Sequence, residues 1–430
     1  MIEWDQKTLG ELTDIGKGII QTGPFGSQLH ASDYVEVGIP CLMPVNLKHN
    51  KIDISSVSYV SSKDALRLSK HIVKTGDIIY SRRGDITQKA IITSVEEGFF
   101  CGTGCLLIRT GHGVNPIFLL YYLSTPQSIS WIKNNAVGIT MPNLNTKILR
   151  KFPISFPEPQ IQQKIASVLT ALDSKIELNN RINSELEAMA ITLYDYWFVQ
   201  FDFPDENGKP YKTSGGKMVW NEEMKMEIPE GFLNCKLGDV LARTGTGLNP
   251  RENFVLGEGN NYYVTIKNIE QGRVILDNKC DKITDTSLEI INKRSDLKIG
   301  DILFTSIEPV GITYLILEKP KNWNINESVF TIRPNYEKVT SEFLYMFLSG
   351  DYIKSYTKNV SAGSIHKGIR HSLLKDCKFI LPERNIVDAF TMKIQPILNY
   401  VDIIQKENQK LTELRDWLLP MLMNGQVKVS

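Results

Sequence analysis

The segment 76–81, GDIIYS, recurs at residues 300–305 as GDILFT. Two further matches keep the same order around it: LGEL at 9–12 with LGDV at 237–240, and KFPI at 151–154 with KFIL at 378–381. One match of four residues would be chance, but several in one order at an offset of about 225 residues are not. A repeat unit of this length is a duplicated domain, since solenoid repeats are much shorter.

Each copy of the repeat begins with short apolar runs that are separated by glycine, asparagine and proline. Such runs predict strands: 78–80, 90–92, 106–108, 302–304, 313–317 and 329–332. Helical patterns are few and fall at the same relative place in both copies, 116–123 and 341–348. We therefore expect an α+β fold with a β-rich core in each copy.

After each β-rich block the apolar spacing changes to alternating steps of three and four residues. The first stripe contains Ile161, Ile165, Val168, Leu172, Ile182, Leu186, Met189, Leu193 and Tyr196. The second contains Phe390, Ile394, Ile397, Val401, Ile404, Leu411, Leu418 and Leu422. This spacing is typical of a coiled coil, and about 40 residues give a helix of roughly 60 Å. Each stripe needs a partner in water, so we expect the two helices to pack on each other.

Asn179 and Asn408 occupy the same position in the two stripes, and an aspartate, Asp173 or Asp402, precedes each of them at the same spacing. A polar residue in a coiled-coil seam costs stability but fixes the register of the two helices. Both asparagines lie near the middle of their helices, and an antiparallel pair would bring two such positions together. The alternative is that the stripe drifts and both side chains face solvent.

These patterns divide the chain into five segments. They are 1–155 (first β-rich block), 156–200 (first long helix), 201–230 (linker), 231–381 (second β-rich block) and 382–424 (second long helix). The linker is polar and rich in glycine and proline. Trp197 and Phe198 lie just before it, and Phe201 and Phe203 lie at its start. We expect this aromatic cluster to pack at the helix end; the alternative is a platform on which bases stack.

Composition limits the class of protein. No apolar run approaches the ~20 residues of a membrane span, and the N-terminal residues do not resemble a signal peptide. The six cysteines form no CxxC pair, which favours buried free thiols and a reducing, cytoplasmic location. The net charge is only +1, but residues 1–150 and 231–381 each carry +3 whereas residues 151–230 carry −5. The two basic blocks favour contact with a polyanion slightly.

Motifs for catalysis are absent from the sequence. It contains no GxxxxGK[ST] phosphate loop, no HExxH zinc motif and no GxSxG nucleophile motif. The six histidines are scattered and have no acidic partners at metal-binding spacing. We therefore expect no catalytic residues, no metal site and no cofactor.

A resemblance to a known family rests on the segment between the two blocks. It reads WFVQFDFP at 197–204 and GKPY at 208–211, followed by GF at 231–232 and LGD at 237–239. The two segments that begin with Gly-Asp, at 76–81 and 300–305, and PEPQIQ at 157–162 add to the pattern. Together these motifs resemble those of the specificity subunits of type I restriction–modification systems, and the resemblance covers essentially the whole chain. The second block departs from this pattern, because PERN stands at 382–385 where the first has PEPQ.

The resemblance implies a division of labour. The family has two target-recognition domains, each followed by a long helix, and the two helices form an antiparallel coiled coil. Such a subunit would recognise a bipartite target in double-stranded DNA without catalysing a reaction. It would bind two modification subunits, which methylate adenine, and two restriction subunits, which translocate and cleave DNA with ATP. The alternative is a two-domain scaffold that binds proteins.

Basic and amide residues in loops are the candidates for DNA contact, because lysine and arginine bind phosphates and amides bind base edges. In the first block the candidates are Arg82, Arg83, Lys89, Asn143, Asn145 and Lys147. In the second they are Lys267, Asn268, Ser364, His366, Lys367 and Arg370. Each could instead be an ordinary surface or turn residue.

Overall fold

The computed structural model describes residues 4–138, 142–270, 272–361 and 368–429. Contacts divide the chain into two compact units. Unit 1 is Met1–Leu178 together with Asn408–Ser430, and unit 2 is Asn179–Glu407. Each unit therefore combines one β-rich domain with parts of both long helices.

The first domain, in unit 1, has short strands and short helices. Its strands are β1 (Asp5–Thr8), β2 (Ile19–Thr22), β3 (Tyr34–Val35), β4 (Ile39–Leu42), β5 (Leu47–Lys48), β6 (Lys51–Ile52), β7 (Ser58–Val60), β8 (Ile78–Ser81), β9 (Lys89–Ile91), β10 (Phe100–Cys101), β11 (Cys105–Arg109) and β12 (Pro153–Phe156). Its helices are α1 (Leu9–Ile15), α2 (Ser62–Arg67), α3 (Pro116–Tyr122), α4 (Pro126–Asn135) and α5 (Thr146–Arg150). The long helix α6 (Pro159–Tyr194) begins in this unit and ends in unit 2.

The main sheet of the first domain has the order β2-β11-β8-β9, with antiparallel neighbours throughout. Its central strand β8 is buried at every position and carries the apolar part of the GDIIYS repeat. A second sheet has the order β10-β4-β7-β3, in which β10 and β4 are parallel. Two small pairs, β1-β12 and β5-β6, complete the domain.

The second domain, in unit 2, has a similar set of elements. Its strands are β13 (Met218–Asn221), β14 (Met226–Pro229), β15 (Leu233–Lys236), β16 (Leu241–Thr246), β17 (Asn261–Val264), β18 (Ile269–Glu270), β19 (Arg273–Val274), β20 (Asp281–Ile283), β21 (Ile302–Thr305), β22 (Thr313–Leu315), β23 (Trp323–Ile325), β24 (Val329–Pro334) and β25 (Lys378–Leu381). Its helices are α7 (Asp285–Ser295), α8 (Ser341–Ser349), α9 (Asp351–Ser361) and α10 (His371–Lys375). The long helix α11 (Arg384–Met423) follows.

The second domain repeats the topology of the first. Its main sheet is β16-β24-β21-β22, the counterpart of β2-β11-β8-β9, and its second sheet β20-β17-β23 again contains one parallel pair. The pairs β15-β25 and β18-β19 match β1-β12 and β5-β6. The α+β fold and the duplication expected from the sequence are thus confirmed.

The GD motif of each copy has a structural reason. Gly76 and Gly300 have φ values of +88° and +85°, a conformation that favours glycine. The following aspartates, Asp77 and Asp301, are buried and each forms a bidentate ion pair with an arginine on the neighbouring strand. That arginine is Arg109 in the first domain and Arg333 in the second, and the two arginines are as far apart in the sequence as the two aspartates.

The long helices pack antiparallel in each unit. In unit 1 the start of α6 shares a core with the end of α11, through Ile165 and Leu169 with Leu422. In unit 2 the end of α6 shares a core with the start of α11, through Ala190 with Phe390. The antiparallel pair expected from the sequence is confirmed.

The apolar stripe of α6 is partly different from the expected one. Met189 is 57% exposed and Tyr196 is 37% exposed, whereas Ala190 and Trp197 are buried. The shift has a physical cause: an α-helix of 3.6 residues per turn drifts away from a strict seven-residue repeat. A π-helical turn at 195–199 then moves the phase by a further residue. Asn179 and Asn408 are both buried, so neither faces solvent as the alternative required.

The segment after α6 belongs to the core of unit 2. Trp197, Phe198, Phe201 and Phe203 are buried, and Phe203 stacks on Phe232 with ring centroids 5.3 Å apart. The aromatic cluster therefore packs, as expected, and offers no platform for bases. The linker also contains a regular hairpin, β13-β14, that the sequence analysis did not predict.

Two further expectations concern composition. All six cysteines are free thiols, and five of them are buried. Within the described residues, none of the helices is both long enough and apolar enough to cross a bilayer.

Candidate nucleic-acid interface

The turn after β8 in the first domain brings two groups of predicted residues together. Arg83 and Asn143 form an isolated β-bridge, and the N–H of Leu144 donates to the carbonyl of Arg82 at 3.0 Å. The segment before α5 is thus held against the turn by backbone hydrogen bonds. Arg82, Arg83 and Asn143 lie side by side although the arginines and the asparagine are distant in the sequence.

Arg82 is held in a defined position within this turn. Its Nε donates to Oδ1 of Asn143 at 3.2 Å, and its guanidinium lies 5.8 Å from the ring centroid of Phe25. Partial burial, and then the charge of Arg83, lower the pKa of Arg82. Phe25 is 55% exposed and Arg83 is exposed, so a cation, an amide and an aromatic ring share one accessible surface.

Lys89 does not belong to this surface. It is the first residue of β9, only 4% exposed, and its amine lies 5.9 Å from the ring centroid of Tyr80 on β8. Burial lowers the pKa of Lys89 to about 8. The sequence placed it near the turn, but the alternation of side chains along β9 directs it inward.

The other two candidates of the first domain lie at the start of α5. Asn145 caps this helix, since its Oδ1 accepts the N–H of Ile148 at 3.0 Å. Lys147 is exposed in the first turn of the helix. Of these two, Lys147 is the side chain that is available to a ligand.

The second domain builds the same turn with different side chains. The N–H of Ile369 donates to the carbonyl of Ser306 at 2.8 Å, and Ile307 forms a β-bridge with Gly368. Ser306 and Ile307 thus take the places of Arg82 and Arg83. Arg370 is exposed directly before α10, whereas Ser364, His366 and Lys367 lie outside the described residues.

Lys267 and Asn268 lie in a different part of the second domain, on the short 3₁₀ helix Ile266–Asn268. Lys267 is exposed, but Asn268 is buried and its Oδ1 accepts the N–H of Thr265 at 2.9 Å. Asn46 of the first domain accepts the N–H of Met43 in the same way, at 2.9 Å. Asn268 is therefore a turn residue that the fold requires in both copies.

A basic cavity in the second domain was not found from the sequence. It is open to solvent and lies beside the edge strand β16; its lining residues are Arg243, Thr244, Gly245, Thr246, Arg294 and His371. Arg243 pairs with Asp296 at 2.8 Å, and His371 stacks on Phe330 with centroids 3.7 Å apart. The two arginines are far apart in the sequence and belong to different elements, so no spacing could have linked them.

These surfaces have the chemistry of nucleic-acid recognition. Guanidinium groups and hydroxyls bind phosphate oxygens, and arginine and asparagine match the hydrogen-bonding edges of bases. Within the described residues, no three histidine, cysteine, aspartate or glutamate side chains are grouped so that they could hold a metal ion.

The sequence matches the type I restriction modification DNA specificity domain twice, over residues 1–188 and 229–415. The two matches coincide with the two copies of the fold and include most of both long helices. The chain belongs to this family, whose members are specificity subunits that recognise DNA targets.

Alignments with similar proteins extend over the whole chain. The MjaIX specificity subunit of Methanocaldococcus jannaschii is 25% identical over 437 residues, covering 100% of this chain and 94% of its own. The HindI specificity subunit of Haemophilus influenzae is 24% identical over 481 residues, covering 99% and 100%. The crystal structure of a type I S subunit from M. genitalium has a TM-score of 0.62 at 15% identity, covering 98% of this chain and 96% of that one, and supports the fold.

Proposed function

We propose that this chain recognises a bipartite DNA target with a non-specific gap and directs the other subunits of a type I restriction–modification complex to it. The observation that carries the proposal is the duplication: one fold occurs twice, and each copy is followed by a long helix. We assign target recognition to residues 1–155 and 231–381, and the gap between half-sites to the helices.

The length of the helices supports a gap. Helix α6 has 36 residues and α11 has 40, so each is roughly 54–60 Å long at ~1.5 Å per residue. One turn of B-DNA measures about 34–36 Å. Helices of this length are therefore sufficient to separate two readers by a turn of duplex or more.

The chemistry of the equivalent turns supports two different half-site sequences. In the first domain we propose that Arg82, Arg83, Asn143 and Lys147 contact DNA. In the second we propose Arg370 and Lys267, together with the cavity that Arg243 and Arg294 line. Arginine binds guanine bidentately, whereas the apolar Ile307 at the place of Arg83 suits a thymine methyl group. The two domains would then have the same backbone fold at this turn and differ in the bases that they bind.

For the remaining partners the proposal follows the family. The chain itself would be non-catalytic and act in the cytoplasm, while two modification subunits methylate adenine and two restriction subunits cleave. Exposed apolar side chains on the last turns of α11 support assembly with a modification subunit, because Leu414 and Trp417 are 43% and 55% exposed. The family match argues against the alternative, a scaffold that binds only proteins.

Methylome sequencing of the host, with and without this gene, tests the proposal. We expect one bipartite motif, with adenine methylation in each half and a gap of fixed length, to disappear when the gene is deleted. Restoring the gene should restore the motif. A methylome that does not change on deletion would contradict DNA recognition, and a motif without a gap would contradict the two-reader arrangement.

A further inference from the structure

Asp173 on α6 connects three parts of unit 1. Its Oδ2 accepts the hydroxyl of Tyr121, on α3 of the first domain, at 2.6 Å. Its Oδ1 accepts Nη1 of Arg415, on α11, at 2.9 Å. One carboxylate thus joins the recognition domain to both long helices. We call these three residues the Tyr121–Asp173–Arg415 clamp. Tyr121 is buried, with 5% of its surface exposed, whereas the side chains of Asp173 and Arg415 are 27% and 29% exposed.

The first domain is also tied to α6 at a second level. The backbone N–H of Asn115, at the start of α3, donates to Oε1 of Gln162 at 2.9 Å, and its side chain donates to Gln163 at 2.7 Å. Gln162 and Asp173 are separated by about three helical turns, which corresponds to ~16.5 Å along the helix at ~1.5 Å per residue. Two directional ties at this separation oppose pivoting of the domain, whereas apolar packing alone is non-directional. A third tie, the ion pair of Lys51 with Glu177, is exposed and therefore weaker.

The described residues of the second domain do not repeat this clamp, although they contact α11 through another polar tie. Asp402 has the same place before Asn408 as Asp173 has before Asn179, but it accepts Nζ of Lys406 on its own helix at 2.6 Å. Lys406 also pairs with Glu318 of the second domain at 2.7 Å, so the link here is a lysine bridge that is exposed at Glu318. In α8 the position equivalent to Tyr121 is Met346, because Phe118 and Phe343 stand at the same place after the N-caps of α3 and α8. Methionine has no hydroxyl to donate. Among the described residues, the tyrosine–aspartate hydrogen bond therefore occurs in the first domain only, and the repeated fold does not require it.

We propose that the Tyr121–Asp173–Arg415 clamp sets the orientation of the first recognition domain on the helix pair and thereby selects the length of the gap between half-sites. The inference rests on the proposed function, because it presupposes a bipartite target. Tyr121, Asp173 and Arg415 are positioning residues, since none of them is assigned a contact with DNA.

The geometry gives the size of the effect. Loosening the tie at Asp173 by ~2 Å, with Gln162 as the pivot ~16.5 Å away, rotates the domain by about 7°. At roughly 30 Å from the pivot, the diameter of a small domain, the displacement is about 3.6 Å. This is close to the ~3.4 Å rise of one base pair. Without the clamp, the domain can reach a half-site displaced by one base pair.

The experiment uses the complex of this chain with its modification subunits and three duplexes. They carry both half-sites with the native gap or with a gap one base pair shorter or longer. Equilibrium competition measures the preference for the native gap. We expect Tyr121→Phe and Asp173→Asn each to reduce this preference about tenfold, equivalent to ~1.4 kcal/mol, while affinity for a duplex with only the first half-site stays unchanged.

Tyr122→Phe is the matched control. The neighbouring Tyr122 accepts the N–H of Ser155 at 3.1 Å inside the domain, so this change removes a hydrogen bond without touching the clamp. It should keep the native preference. Arg415→Met, which removes the donor to Oδ1 of Asp173, serves as a further variant should Tyr121→Phe fail to fold, and it should reduce the gap preference in the same way.

The outcomes separate the two proposals. Unchanged gap preference in the clamp variants, or an equal loss in Tyr122→Phe, would overturn the clamp and leave the bipartite target intact. A wild-type complex that shows no gap preference at all would overturn both.

Discussion

Replacing Arg333 with methionine should destabilise unit 2 strongly, because it removes the partner of a fully buried carboxylate. Asp301 is 0% exposed and accepts Nε and Nη2 of Arg333 at 2.7 and 2.9 Å. Among the described residues, only the backbone N–H of Lys298, at 2.8 Å, would still donate to it. Breaking a buried ion pair from one side costs about 3–5 kcal/mol. With a urea slope of about 2 kcal/mol per molar, the unfolding midpoint should fall by roughly 1.5–2.5 M.

The first domain contains the equivalent buried ion pair, and an exposed ion pair provides a control. Arg109→Met should destabilise unit 1 similarly, since Arg109 donates to Asp77 at 2.7 and 2.6 Å. Arg67→Met removes an exposed pair with Asp64 and should cost less than about 1 kcal/mol. Replacing both partners, as in Asp301→Leu with Arg333→Met, should restore much of the loss because no buried charge remains. Urea unfolding followed by circular dichroism decides: a midpoint for Arg333→Met equal to that of Arg67→Met would refute the reasoning.

Three other predictions concern charge and length. The double variant Arg82→Ala with Arg83→Ala should weaken binding at the first half-site and reduce the slope of log K against log salt by about 1.8. Lys89→Met should leave that slope unchanged, because Lys89 is buried. Equal slopes for all variants would exclude the turn after β8 as a phosphate contact. Lys89→Met should also remove a pH dependence of stability: the pKa of Lys89 falls from 10.5 unfolded to about 8 folded, so wild-type stability should rise between pH 8 and 10.5 by up to about 3 kcal/mol, and calorimetry should find no such rise in the variant. Inserting four residues into both long helices, after residues 178 and 407, adds ~6 Å and should lengthen the methylated gap by about two base pairs; an unchanged gap would mean that the helices do not set it.

The apolar pattern was enough to predict the frame of this molecule. The strand in each GD repeat, the helices at 116–123 and 341–348 and the two long helices depend on local periodicity, and the structure has them as β8, β21, α3, α8, α6 and α11. The reason for the GD motif itself stayed hidden, because Arg109 is distant from Asp77 in the sequence and only the sheet brings them together. The equal spacing of aspartate and arginine in the two copies was the available signal.

The direction of side chains explains most of the differences between the DNA-contact residues predicted from the sequence and the structure. Arg82 and Lys89 are both basic and close together in the sequence, so both were candidates for DNA contact. Arg82 lies in a turn, however, whereas Lys89 begins a strand and its side chain faces inward. Asn145 and Asn268 were chosen for their amide groups, and the structure uses both amides to hold the backbone. Asparagine is common in DNA contacts and in turns for the same reason: its side chain satisfies groups that would otherwise lack a partner.

The division of the long helices between the units has a consequence for synthesis on the ribosome. Unit 2 is continuous, so all of its contacts can form once residue 407 has emerged. Unit 1 needs residues from both ends of the chain: Ile165 and Leu169 are covered by a cluster that includes Leu422 and Met423. The block that is translated first is thus completed last. Until the last turns of α11 have been synthesised, the apolar stripe at the start of α6 stays exposed to chaperones and to other nascent chains. The first domain is therefore complete only after the second has been synthesised.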